Sequence, residues 1–125
     1  MNAPSASASD GGGPGGGAAE AFTSFIETYG DTSFGPEASY RLGEILFVQS
    51  RFTDAAAAYI VAIRGYPPSP WAPNAMIDLA KTFIALKRPT DACHTVEEMG
   101  RRYPGAPPAA KAKARDIRAA AKCGA

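Results

Sequence analysis

Tyrosines at positions 29, 66 and 103 stand 37 residues apart, and much of the chain keeps step with them. Pro36 and Pro73, Ala38 and Ala75, Leu42 and Leu79, Asp54 and Asp91, and Ala55 and Ala92 hold the same spacing. Phe22, Tyr59 and Val96 extend it over three copies, as do Phe25, Ala62 and Met99. The phrase Arg51-Phe52-Thr53-Asp54-Ala55 returns as Arg88-Pro89-Thr90-Asp91-Ala92. A period of this size means a supersecondary unit used repeatedly, because one unit cannot bury its apolar face alone.

Each unit contains two helical segments. From Glu37 to about position 49, Ala38, Leu42, Ile45 and Leu46 fall at i, i+4, i+7 and i+8, one apolar face of a helix. Pro36 stands where a first-turn proline is tolerated, since its missing N–H had no helical partner to lose. The segment from Phe52 to Tyr66 places Ala55, Ala56, Tyr59, Ile60 and Ile63 on one face, and Pro67-Pro68 stop it. Residues 73–86 and 89–103 repeat the pair, a half unit at 19–29 precedes them, and a helix over about 108–122 follows. With the first helix of a unit called A and the second B, the fold class is therefore all-α, with about six helices in the order B, A, B, A, B, A. Short connections make neighbours antiparallel. Gly43, Ala55, Ala80 and Ala92 fall where paired helices cross, and small side chains there let the backbones approach.

The first 18 residues differ in kind. They hold six of the 13 glycines and almost no bulky apolar side chain, so they read as a flexible linker or tail before a helical domain at 19–125. They lack the basic start and apolar core of a signal peptide.

The unit resembles the tetratricopeptide (TPR) repeat, whose pattern is W-x2-L-G-x2-Y, then A-x3-F, then P. Leu42-Gly43-x2-Leu46, Ala55-x3-Tyr59 and Pro67 carry it in one unit; Leu79-Ala80-x2-Phe83, Ala92-x3-Val96 and Pro104 carry it in the next. Ser39 and Met76 stand at the tryptophan position. The period exceeds the usual ~34 residues, and the connections at Pro67–Pro70 and Pro104–Pro107 accommodate the excess. The TPR resemblance implies an α-α superhelix that presents a surface for proteins.

One connection, Tyr66-Pro67-Pro68-Ser69-Pro70-Trp71-Ala72-Pro73-Asn74-Ala75, is similar to that of the C-terminal TPR domains of the CpoB (YbgF) family. Ala21-Phe22-x2-Phe25, Asp91-Ala92-Cys93 and Arg101-Arg102-Tyr103-Pro104 add to the likeness. The resemblance implies a non-enzymatic, Tol-Pal-associated coordinator of outer-membrane constriction and septal peptidoglycan synthesis in the Gram-negative periplasm. Its implied partners are TolA and a peptidoglycan synthase. An upstream coiled coil would make the full-length protein oligomeric and leave the isolated domain monomeric. BamD-like outer-membrane assembly factors use similar connections, and a self-associating structural domain is a further reading.

Charge and composition exclude other classes. Lys+Arg 13 against Asp+Glu 12 leaves a net +1, without the basic excess of a nucleic-acid binder. One histidine and two cysteines rule out a zinc ribbon, and no apolar run reaches the roughly 18 residues of a membrane span. There is no Ser-His-Asp set, phosphate loop or HExxH, so no catalytic, metal or cofactor site is expected. His94 has Glu97 and Glu98 three and four residues on, and reads as a solvated surface side chain.

Two sets of residues carry functional expectations. On the A helices, the faces not used in hairpin packing hold Glu37, Tyr40, Glu44 and Phe47, then Asn74, Ile77, Lys81 and Ile84, then Lys111, Ala114 and Arg118. This mixture of aromatic, aliphatic and charged groups suits a docked helix or extended segment, while Tyr40, Phe47 and Ile84 could equally complete the core. A carboxylate clamp needs more Lys and Asn than Asn74 and Lys81 supply. The basic last helix suits a solubilising cap, or contact with anionic lipid or a partner. Cys93 and Cys123 lie at helix ends that antiparallel packing brings together. A disulfide there would close a loop of about 30 residues and stabilise by roughly 3 kcal/mol; the alternative is two free thiols.

Overall fold

The computed structural model describes residues 34–124. The half unit at 19–29 and the stretch 1–18 lie outside the described residues. Within them are five helices and no strand: α1 (Phe34–Val48), α2 (Phe52–Ile63), α3 (Ala72–Ala85), α4 (Pro89–Arg102) and α5 (Pro108–Ala120). The all-α class holds. α1 pairs with α2, and α3 with α4; α2 packs on α3, and α5 lies against both α3 and α4.

The starts of α2 and α4 are built alike. Arg51 reaches Asp54 Oδ2 at 2.9 Å, and Arg88 reaches Asp91 Oδ2 at 2.5 Å. Each aspartate stands in its helix's first turn, where the exposed N–H groups favour a negative charge. No side-chain cap serves either end.

The ends of the A helices are also alike. Ser50, Lys87 and Lys122 adopt left-handed backbone, with φ of 60°, 62° and 58°. In each case the next N–H bonds back five residues: Arg51 to Leu46, Arg88 to Phe83, and Cys123 to Arg118, at 2.9, 2.8 and 2.9 Å. These are Schellman caps, which satisfy carbonyls that a helix end leaves over. The first two caps are 37 residues apart and the last two only 35. The repeat that ends in α5 is thus two residues shorter, and Ala110, Ala114 and Ile117 take the buried places of Ala75, Leu79 and Thr82.

Other boundaries depart from expectation in small ways. α1 begins three residues early, at Phe34. α2 ends at Ile63 rather than at the prolines, because Gly65 and Tyr66 turn into positive φ (77° and 52°). Ile60, assigned to the packed face of α2, is half exposed. α4 has Gly100 where α2 has Ile63 and runs on to Arg102. Tyr103, at its end, donates its hydroxyl to the Pro67 carbonyl at 2.8 Å, so one unit's tyrosine holds the preceding unit's connection.

The core forms two clusters. The first joins Tyr40, Leu42, Leu46, Ala55, Tyr59, Ala62, Ala75 and Leu79. The second joins Met76, Ile77, Ala80, Ala92, Val96, Met99, Ala114 and Ile117. Ala55, Ala80 and Ala92 are wholly buried, as small residues at helix crossings should be. Cys93 and Cys123 are disulfide-bonded, with 5.5 Å between their Cα atoms, and the bond staples the end of α5 to the first turns of α4.

Candidate functional site

The successive A helices do more than carry separate faces; they touch. Tyr40 on α1 stacks on Trp71, just before α3, with ring centroids 5.5 Å apart and planes at 12°. It also lies 6.1 Å from the Tyr59 ring. Lys81 on α3 sits over the Phe47 ring of α1, 5.8 Å from its centroid. At the second of these bridges lies a cleft of about 180 Å³ lined by Glu44, Phe47, Val48, Tyr59, Asp78 and Lys81.

Three of the expected docking residues, Glu44, Phe47 and Lys81, meet in this cleft. Tyr40 and Ile77 do not belong to an exposed face. They are 5% and 1% exposed, in the first and second core clusters respectively. Their angular position on the helix is the one that meets the next A helix, a contact that hairpin-by-hairpin reading overlooks. Ala114 is likewise buried, and Ile84 is half-buried against the second cluster. Glu37 is exposed and reaches Arg41 at 3.5 Å. Asn74 is exposed in the first turn of α3, one turn ahead of Asp78. Lys111 is exposed, but the α5 cation that acts on Asp78 is Lys113. In the register set by the shorter repeat, Lys111 takes the place of Met76 rather than of Asn74, and Lys113 takes the place of Asp78.

Asp78, Val48 and Tyr59 are cleft residues that the sequence reading missed. Asp78 was legible: with Asn74 and Lys81 it makes one stripe at i, i+4 and i+7. Its carboxyl is pushed above the usual aspartate value, first by burial and then by the nearby Glu44 carboxylate; Lys81, the Tyr40 hydroxyl and Lys113 oppose the rise. Burial likewise pushes the Tyr40 and Tyr59 hydroxyls far up, so both stay neutral. Glu44 is held by Arg41 at 3.0 Å. Val48, on the rim, is 83% exposed.

The cleft therefore offers an apolar wall of Phe47, Val48 and Tyr59 opposite charges of both signs. It is smaller than the roughly 300–1,000 Å³ of ordinary small-molecule sites. Its size suits a side chain or two of a docked segment. Among the described residues, no cluster of His, Cys, Asp or Glu is arranged to hold a metal ion. No described helix is long and apolar enough to cross a membrane.

Stacked helical hairpins with a mixed apolar and charged cleft across successive A helices define a protein-interaction scaffold. The sequence model of the Tetratricopeptide repeat family matches residues 16–70, which takes in α1, α2 and the connection to α3. The fold is of the TPR type, a class of generally non-catalytic modules that bind proteins. No curated protein matches the chain.

Proposed function

We propose that this chain is a non-enzymatic docking module of the Gram-negative envelope, a Tol-Pal-associated coordinator that holds a partner segment across α1 and α3. The cleft between Phe47 and Lys81 carries the docking part of this reading. Its exposed Val48 supplies apolar surface, and Glu44, Asp78 and Lys81 supply orientation. A segment laid along it buries one apolar anchor and aligns its charges with those of the rim.

The envelope part rests on other grounds. The Tyr66–Ala75 connection has the Tyr-Pro-x-Ser-Pro form of the CpoB type. The Cys93–Cys123 bond is one that persists in oxidising compartments such as a periplasm. TolA is the first partner to test, and a bifunctional peptidoglycan synthase the second.

Calorimetric titration with the purified periplasmic part of TolA tests both parts separately. Wild type should bind, and Val48→Glu and Lys81→Glu should weaken binding at least tenfold while the helical circular dichroism is kept. Absence of binding to TolA and to the synthase removes the envelope assignment. Binding that both variants leave unchanged removes the cleft.

A further inference from the structure

Helix α5 carries a charge pattern that its own stability does not call for. It and its cap hold Lys111, Lys113, Arg115, Arg118 and Lys122 against the single Asp116, all exposed. Lys111, Arg115 and Arg118 fall at i, i+4 and i+7, one stripe beside the buried line of Ala110, Ala114 and Ile117. Elsewhere, Arg41, Arg51, Arg88, Arg101 and Arg102 each make an ion pair. None of the α5 cations lies within ion-pair distance of a carboxylate among the described residues.

Local physics opposes the pattern. α5 has no acidic residue in its first turn, where Asp54 and Asp91 serve α2 and α4. Lys111 instead faces the positive end of the helix dipole. Like charges four apart on a helix, as in Lys111/Arg115, repel by a few tenths of a kcal/mol. With α5 in its observed register, Lys111, Arg115 and Arg118 take the places of Met76, Ala80 and Phe83, which face α4 from α3. The side that earlier units cover with an apolar helix is here covered with positive charge.

The sequence contains the complement. Residues 1–33 hold Asp10, Glu20, Glu27 and Asp31 and no Lys or Arg. This stretch leads into α1, and α1 makes no contact with α5, since α3 stands between them. One copy thus has an acidic stretch joined to one end of its helical stack and a basic helix at the other. α5 has no aromatic residue to stack on a base, and its exposed apolar groups are Pro108 and alanines, which give no anchor in a bilayer.

We propose that the basic stripe of α5 docks the acidic stretch Glu20–Asp31 of a second copy of this chain, head to tail. The contact joins two different surfaces, so it repeats from copy to copy. Ionic attraction between exposed groups drives it, so salt dissolves it. It leaves the cleft on α1 and α3 free.

Sedimentation velocity on the whole chain tests this directly. At about 20 mM salt the weight-average mass should rise with concentration to more than twice the monomer's, and at about 0.5 M it should return to the monomer's. A charge exchange identifies the surfaces. The variant Lys111→Glu/Arg115→Glu/Arg118→Glu and the variant Glu20→Lys/Glu27→Lys/Asp31→Lys should each be monomeric alone at low salt. Mixed in equal amounts, they should associate again. The neutral variant Lys111→Gln/Arg115→Gln/Arg118→Gln gives the same monomer without added negative charge. A wild type that is monomeric at low salt at every concentration overturns the proposal. So does association that salt does not weaken, association that persists in the single variants, or a mixture that stays monomeric.

Discussion

Gly43 lies directly beneath the ring of Tyr59, so closely that a Cβ at Gly43 would fall 2.5 Å from Cε1 and 2.6 Å from Cδ1. Tyr59 is 1% exposed. One unit later the same two places hold Ala80 and Val96, a larger residue facing a smaller one. The hairpins keep their spacing by trading volume across the crossing. Gly43→Ala should therefore destabilise by about 1–3 kcal/mol, although alanine is the better helix former by about 1 kcal/mol. In the Tyr59→Val background the same substitution should be neutral or stabilising. Urea denaturation of the four proteins in this cycle measures the coupling, and additive effects would refute the close contact.

The disulfide holds a helix that little else retains. α5 buries only Ala110, Ala114 and Ile117, and its first turn carries the wrong charge for its dipole. Cys93 and Cys123 are 30 residues apart, and closing such a loop is worth about 3–4 kcal/mol by chain entropy. Reduction, or Cys93→Ala/Cys123→Ala, should lower the midpoint of unfolding by that order. It should also speed amide exchange in α5 before α1 and α2 are affected. Mass spectrometry after alkylation, with and without reductant, verifies the bond itself.

Lys87 shows that a strained position need not be a glycine. Its φ of 62° closes α3, and the side chain is exposed. A lysine in left-handed backbone costs on the order of 1 kcal/mol, part of which glycine returns as unfolded-state entropy. Lys87→Gly should stabilise by about 0.5 kcal/mol, seen as a small rise in unfolding midpoint. Gly65, already glycine at φ 77°, should lose stability on substitution by alanine.

Much of this architecture could be read from spacing. The 37-residue period located α1 to α4 because it records which residues face the paired helix, and Ala55, Ala80 and Ala92 sit at the crossings it implied. Two things escaped it. The contact between successive A helices buries Tyr40 and Ile77, and nothing in one hairpin's periodicity announces a neighbour two helices away. The shorter repeat that ends in α5 has no apolar marker, since alanines at 110, 112, 114, 119, 120 and 121 suit several registers equally. The left-handed cap at Lys122 reveals the register instead, and no sequence rule favours lysine there. In the candidate site, Glu44, Phe47 and Lys81 were legible as members of the A-helix faces that hairpin packing leaves over. The wall made by Tyr59 was not, because it comes from a B helix.

Asp78 makes stability depend on pH in a direction opposite to that of most carboxylates. Burial raises its folded-state pKa above the unfolded value, and the Glu44 carboxylate adds to the rise. The folded protein therefore holds this proton more tightly than the unfolded chain. The stabilisation from the protonated carboxyl is complete below the unfolded-state pKa. It is lost as pH rises from there through the raised folded-state value. Above that window the charged, half-buried carboxylate is a standing cost. Asp78→Asn keeps an acceptor for the Tyr40 hydroxyl and removes the charge. The variant should be more stable than wild type at pH 7, and the difference should vanish as the pH falls below the window. Thermal unfolding of both proteins between about pH 3 and 7 follows this. If the variant is instead less stable at pH 7, attraction from Lys81 and Lys113 outweighs burial, and Asp78 is a structural anion holding α3 to α5 rather than a carboxylate that burial makes costly.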